Sequence, residues 1–185
     1  QGGKLLVMRQ ELMARAMGLS EAEVQESIKS NEKTFEIASR SKDAQTIKAD
    51  LTKYVKENPP NIPSRLLPPG ITREQFVTAR IDELTSPWFI YLLNYDPAPT
   101  LEKVTCPVLA LNGSKDAQVP SKENLTAISV ALKKGGNENV TIKELPNLNH
   151  FFQECETCSL MEYATLDQTF SPVAMAEISS WVMKQ

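Results

Sequence analysis

Apolar residues along the first half of the chain recur at helical spacing. Leu5, Met8, Leu12 and Ala16 form one stripe, with Leu6, Met13 and Met17 beside it, and Gly18 suits the stop. Ser20-Glu21-Ala22-Glu23 then reads as a capping box, in which a hydroxyl and a carboxylate each satisfy a free amide of the first turn. Val24, Ile28 and Phe35 follow on one face of a second helix. Ile47, Leu51 and Tyr54 mark a third, which must end before Asn58-Pro59-Pro60 because proline cannot continue a helix. The stretch from Pro59 to Gly70 carries five prolines and predicts a loop. Thr72 with Gln75 is a further capping box, leading into Phe76, Val77, Ile81 and Leu84. Ser86-Pro87 predicts a short helix through Trp88, Phe89, Tyr91 and Leu92, with proline at its first position.

After Pro97 the rhythm changes. Val108-Leu109-Ala110-Leu111 is a continuous apolar run bounded by Pro107 and Asn112-Gly113, the pattern of a strand buried on both faces. Ser121 is placed to cap a helix carrying Leu125, Ile128 and Leu132, which stops at Lys133-Lys134-Gly135-Gly136. Val140 to Leu145 alternates partly and predicts a second strand. A last helix, Ser171 to Met183, carries Met175, Ile178, Trp181 and Val182 on one face. Strand, helix, strand is a βαβ crossover, whose strands run parallel with a right-handed connection.

That crossover gives two polar residues equivalent positions. Asp116 lies five residues beyond Leu111, and His150 five beyond Leu145. Parallel strands end on the same edge of a sheet, where open α/β folds bind ligands. A carboxylate there would fix the imidazole tautomer and stabilise the imidazolium formed during proton transfer, leaving the other ring nitrogen as a general base. Each residue alone has an ordinary reading as well. Asp116, in Gly-Ser-Lys-Asp, suits a turn former, and His150 beside Phe151-Phe152 suits a core or surface position.

Composition narrows the classes. The 185 residues suffice for one domain, or one with a small second. A formal net charge of -3, with lysines and arginines spread among acids along helices, argues against a nucleic-acid partner. No apolar run approaches the roughly 18 residues that cross a bilayer, so no membrane span is expected. The start, Gln1-Gly2-Gly3-Lys4-Leu5-Leu6, has neither an initiating Met nor a signal-peptide layout. It is read as the start of an excised or processed piece, which leaves a cytoplasmic or an exported location open. Cys155-Glu156-Thr157-Cys158 has the spacing of a redox or half-zinc motif. No second pair exists to complete a metal site, no strand-turn-helix context supports thiol redox chemistry, and a local disulfide would suit an exported protein.

The stretch Cys106-Pro-Val-Leu-Ala-Leu-Asn-Gly-Ser-Lys-Asp116-Ala-Gln-Val-Pro120 resembles the strand and acid loop of the α/β-hydrolases. Leu145-Pro-Asn-Leu-Asn-His150-Phe is similar to their histidine loop, and the segment from Ser86 to Pro97 looks like the return from the cap in bacterial members of the esterase and serine-aminopeptidase-like branch. The resemblance covers about residues 86–185, and residues 1–85 fit a helical cap only by position and helicity. It implies an α/β fold: a helical cap or lid, then the C-terminal part of a hydrolase core, with one parallel βαβ unit, a terminal helix and an incomplete sheet. Asp116 and His150 would be catalytic, Trp88, Phe89 and Tyr91 would be candidates for the substrate pocket, and a small acyl or ester substrate would be the partner. No metal or organic cofactor is implied.

In that family the serine precedes the acid on a Gly-x-Ser-x-Gly elbow. No such motif occurs in this sequence, and the nearest partial match, Gly18-Leu19-Ser20, lacks the second glycine and reads better as a helix junction. The chain is therefore read as a fragment of a serine hydrolase, inactive alone, with Gln1-Gly2-Gly3 as the remnant of an exit loop. The alternatives are an inactive paralogue or a non-catalytic helical module that binds a partner. Two strands are too few for a stable open sheet, so self-association through the exposed edge is expected.

Overall fold

The computed structural model describes residues 2–185. The elements are α1 (Gly2–Ala16), α2 (Glu21–Ser39), α3 (Ala44–Glu57), α4 (Arg73–Leu84), α5 (Pro87–Asn94), α6 (Ala98–Leu101), β1 (Val108–Gly113), α7 (Ser121–Lys134), β2 (Val140–Leu145) and α8 (Pro172–Val182). Single 3-10 turns lie at Ser64–Leu66 and Glu162–Thr165. The chain is thus mixed α/β and mostly helical. Among the described residues no helix is long and apolar enough to cross a membrane. Of the proposed exit-loop remnant, Gln1 lies outside the described residues, whereas Gly2 and Gly3 belong to α1.

Local chemistry accounts for most of the boundaries. Ser20 and Glu23 close the capping box before α2, the Ser20 amide donating to Glu23 Oε2 at 2.8 Å and the Glu23 amide to Ser20 Oγ at 3.4 Å. Thr72 and Gln75 do the same before α4, at 2.9 Å and 3.2 Å. Asp43 caps α3, its carboxylate accepting from the Thr46 amide at 2.7 Å. Ser86 caps α5 and Ser171 caps α8, each followed by proline at the first turn. Ser121 departs from the expected cap. Pro120 occupies the N-cap position, and the Ser121 hydroxyl donates to Glu144 of β2 instead. The sequence reading also passed over α6 and the 3-10 turns, which are too short to show a period.

The chain divides into two compact units, the division falling within α1 and again within α2. The first comprises residues 2–7 and Gln25–Tyr95. Its core gathers Leu6, Phe35, Ile37, Ile47, Leu51, Ile81, Leu84, Phe89 and Leu93. Ile47 and Leu51, read as one stripe of α3, are fully buried, each such side chain contributing about 2 kcal/mol of apolar burial.

The second unit comprises Met8–Val24 and Asp96–Gln185. Its sheet has two strands, parallel, with Val108 opposite Val140 and Gly113 opposite Leu145. Helix α7 makes the crossover between them. Leu145, Leu148 and Ala174 form a small core against Leu111, Phe152 and Phe170. Two expectations change here. Val108 and Leu109 are only half-buried, so β1 is not covered on both faces over its length. On α8 the apolar stripe is turned outward: Met175, Ile178 and Val182 are exposed, and Ala174 is the residue buried against the sheet. Trp181 is the member of the stripe that reaches back, its indole nitrogen donating to Thr141 Oγ1 at 3.1 Å.

Candidate functional site

The exits of β1 and β2 lie side by side because the strands are parallel and in register. Backbone bonds then tie the two loops together. The Ser114 amide donates to the Leu145 carbonyl at 2.8 Å, and the Lys115 amide donates to the Leu148 carbonyl at 3.1 Å. The Asn147 amide donates to Ser114 Oγ at 2.9 Å. Gly113 permits this approach. A Cβ there would stand 2.1 Å from the Leu148 carbonyl oxygen, well inside contact distance. Asn147 (φ 62°) and Phe152 (φ 56°) turn the histidine loop through the left-handed region. Between them the fully buried Asn149 accepts from the Phe151 and Gln153 amides, both at 2.9 Å, so His150 projects from a fixed turn.

Asp116 and His150 meet: His150 Nδ1 lies 2.9 Å from Asp116 Oδ2. The Asp116 side chain is 4% exposed and the His150 side chain 36%. Oδ1 of Asp116 accepts from the Gln118 and Val119 amides, both at 2.8 Å, and Oδ2 also accepts from Asn112 Nδ2 at 3.0 Å. Burial pushes this carboxyl up, but the hydrogen bonds from His150, Val119 and Gln118 outweigh it, so Asp116 lies below the usual aspartate value of 3.8. An ionised carboxylate only accepts, so Nδ1 of His150 carries the proton and donates. In the neutral imidazole the lone pair is then on Nε2, which has no hydrogen-bond partner among the described residues.

The remaining candidates lie in the first unit. Phe89 is 3% exposed, stacked on Phe35 with ring centroids 6.1 Å apart and with the Arg80 guanidinium 5.9 Å from its ring centroid. Trp88 and Tyr91 are exposed, and Tyr91 stacks on Tyr95. Beside His150 the aromatic neighbours are Phe151, 5.7 Å away between centroids, and behind it Tyr163, 5.2 Å from Phe151. The sequence reading did not single out Asn112, Asn149 or Tyr163. A polar residue ending an apolar strand was the available signal for Asn112. The other two owe their place to loop geometry.

Cys155 and Cys158 form a disulfide, with Cα atoms 5.2 Å apart, so neither thiol is free to hold a metal. This tight loop turns three backbone amides toward one carboxylate. Glu162 accepts from Glu156, Thr157 and Cys158 at 2.7, 2.9 and 2.6 Å, and from the Thr157 hydroxyl at 2.5 Å. The Thr157 hydroxyl and these amides favour the charged form and hold Glu162 down at about 2. A depressed carboxyl stabilises the fold above its unfolded value, and that contribution fades as pH falls through the folded one. The clamp should therefore persist through pH 4.5 and release toward pH 2. A carboxyl-carbon NMR titration of Glu162 with a midpoint near 4.5 would count against it.

Lys115, next to the acid, spans to the same loop, its ammonium donating to the Cys155 and Glu156 carbonyls at 3.1 and 3.2 Å. The second unit thus brings together a buried carboxylate, an imidazole with an open nitrogen, and a braced loop beside them. Set against known proteins, the chain matches no protein-family model, no curated protein and no solved structure.

Proposed function

We propose that Asp116 and His150 are the acid and base of a serine hydrolase of the α/β-hydrolase kind, acting on an ester or related acyl substrate. The serine is supplied by polypeptide outside this sequence, which contains no Gly-x-Ser-x-Gly elbow. The observation that carries the reading is the 2.9 Å contact between a buried, fully hydrogen-bonded carboxylate and Nδ1 of an imidazole whose Nε2 has no partner among the described residues. Here one nitrogen is fixed and the other is left as a base.

The chemistry follows from that arrangement. Nε2 takes the proton from the serine hydroxyl as its oxygen bonds to the acyl carbon. The imidazolium so formed is stabilised by Asp116, and it returns the proton to the leaving alkoxide as the ester bond breaks. Water repeats the sequence on the acyl-serine, regenerating the hydroxyl. Residues 1–85 would be the helical cap region and residues 86–185 the C-terminal part of the core. No metal or organic cofactor takes part in these steps.

The test is made on the protein encoded by the complete reading frame that contains this chain. A fluorophosphonate probe is expected to label one serine upstream of Gln1, and His150→Ala should abolish that labelling. A frame without the serine elbow, or labelling indifferent to His150→Ala, would refute the reading. The present chain alone is expected to hydrolyse p-nitrophenyl esters no faster than its own His150→Ala variant.

The same reading predicts association. In the two-stranded sheet, the edge of β1 away from β2 pairs with no strand among the described residues. Such an edge is a template for another chain. Expressed by itself, the chain should sediment as a dimer or larger species at micromolar concentration, and a compact monomer there would contradict this expectation.

A further inference from the structure

At the end of β1 a further polar side chain converges on the acid. Asn112 is 5% exposed. Its Nδ2 donates at 3.0 Å to Asp116 Oδ2, the oxygen that also accepts from His150. The same Nδ2 lies 3.4 Å from the carbonyl oxygens of Gly113 and of Val119. Three acceptors surround this nitrogen, so the amide has one workable orientation. Turned over, its oxygen would face a carboxylate and two carbonyls. Asn124 on α7 secures the other side, its Nδ2 donating to Asn112 Oδ1 at 3.0 Å.

We propose that Asn112, oriented by Asn124, is a positioning residue that fixes the plane of the Asp116 carboxylate and through it the tautomer of His150. The proposal rests on reading Asp116 and His150 as acid and base.

The physical case begins with the two oxygens. Oδ1 is held by two loop amides, Gln118 and Val119. A carboxylate anchored through one oxygen still swings about its Cβ–Cγ bond. Among the described residues only Asn112 and His150 hold the second oxygen. His150 is the group that must exchange a proton and change charge, so it cannot also be the fixed reference. Asn112 supplies that reference without charge. A lysine or arginine in its place would neutralise the carboxylate and remove the field that stabilises an imidazolium, whereas an amide orients the anion and leaves its charge for His150. The position is not explained by strand pairing alone. A buried side-chain amide at a strand end costs stability unless it is satisfied, and here the satisfaction runs through the acid.

His150 is the sole histidine in the sequence, so selective ¹⁵N-histidine labelling of the full chain gives one imidazole to follow. The native chain is expected to show the Nδ1–H tautomer, with a slowly exchanging Nδ1 proton. Asn112→Leu, close in size but without the donor, should shift the ring toward the other tautomer and speed exchange of that proton by roughly tenfold or more. Asn124→Ala should act in the same direction but more weakly. The double variant should be no worse than Asn112→Leu alone, because the two act in series. A folded Asn112→Leu chain with the native imidazole spectrum overturns the proposal, and so do additive effects of the two changes. If Asn112→Leu does not fold, a native imidazole spectrum in Asn124→Ala overturns it equally. In the complete protein, Asn112→Leu should lower kcat by about ten- to a hundredfold with KM little changed. Ester hydrolysis indifferent to His150→Ala would defeat the enzyme reading while leaving the spectroscopic coupling of Asn112 to His150 intact, so the two failures are distinguishable.

Discussion

Asp116→Asn, made in the complete protein, is expected to lower kcat for ester hydrolysis by roughly four orders of magnitude while KM changes little. The size of the effect follows from the donors around the carboxylate. Two backbone amides hold Oδ1, so the asparagine oxygen must take that side. Its NH₂ group then replaces Oδ2 and faces His150 Nδ1 and Asn112 Nδ2. A donor facing Nδ1 forces the proton onto Nε2, the nitrogen that must be free to accept from serine. The shape of the site is retained and the base is lost. The substitution also sets two donors, from Asn112 and the new amide, against each other in a buried place, which costs about 1–3 kcal/mol of stability. Steady-state kinetics with a chromogenic ester and a thermal melt of the same preparation check both. A variant retaining more than a tenth of the native kcat would remove Asp116 from the mechanism.

Gly113→Ala should severely disrupt the loops that carry the acid and the histidine. The added Cβ would stand 2.1 Å from the Leu148 carbonyl oxygen, 2.6 Å from its carbon and 2.7 Å from the Asn149 carbonyl oxygen. All three atoms are backbone of the loop that presents His150, so no side chain can move aside to relieve the clash. The loops must separate, and the bonds that tie them, Ser114 to Leu145 and Lys115 to Leu148, give way. The expected cost is about 3 kcal/mol or more, at the upper end of overpacking because the obstacle is main chain. Loss of the slowly exchanging Nδ1 proton of His150 should accompany it. An unfolding midpoint within error of the native chain would show that the loops are less tightly apposed than this geometry requires.

Acid should weaken both carboxyl sites, because each is held below its ordinary value. Asp116 lies below its usual value because His150 and two loop amides outweigh the cost of burial, so its contribution is lost only as pH falls below 3.8. Glu162, held by the amides of the disulfide loop, persists to about 2.

Much of this architecture was legible in one dimension, and the reason is local. Helix periods depend on residues three and four apart, so Ile47 and Leu51 declared their buried face unaided. Capping depends on a hydroxyl and its partner three positions on, so Ser20 with Glu23 and Thr72 with Gln75 fixed two helix starts. The bounds of β2 and the parallel βαβ order followed from the apolar runs and the helix between them. From that order came the nearness of Asp116 and His150, since co-directional strands must end on one edge.

The tertiary structure decided what depends on distant partners. Strand β1 runs on through Asn112 and Gly113, a pair that reads locally as a turn, because β2 continues to offer hydrogen-bond partners as far as Leu145. Ser121 gave up its expected cap once Glu144 lay within reach. The apolar stripe of α8 faces outward, and Ala174 is the residue that packs with Leu145 and Leu148. Asn112 entered the site because burial leaves a polar side chain no water, and the nearest charged acceptor was Asp116. Local sequence fixes which groups are offered, whereas the long-range packing of the chain selects which of them meet. The energy of a hydrogen bond depends on both ends being present and dry.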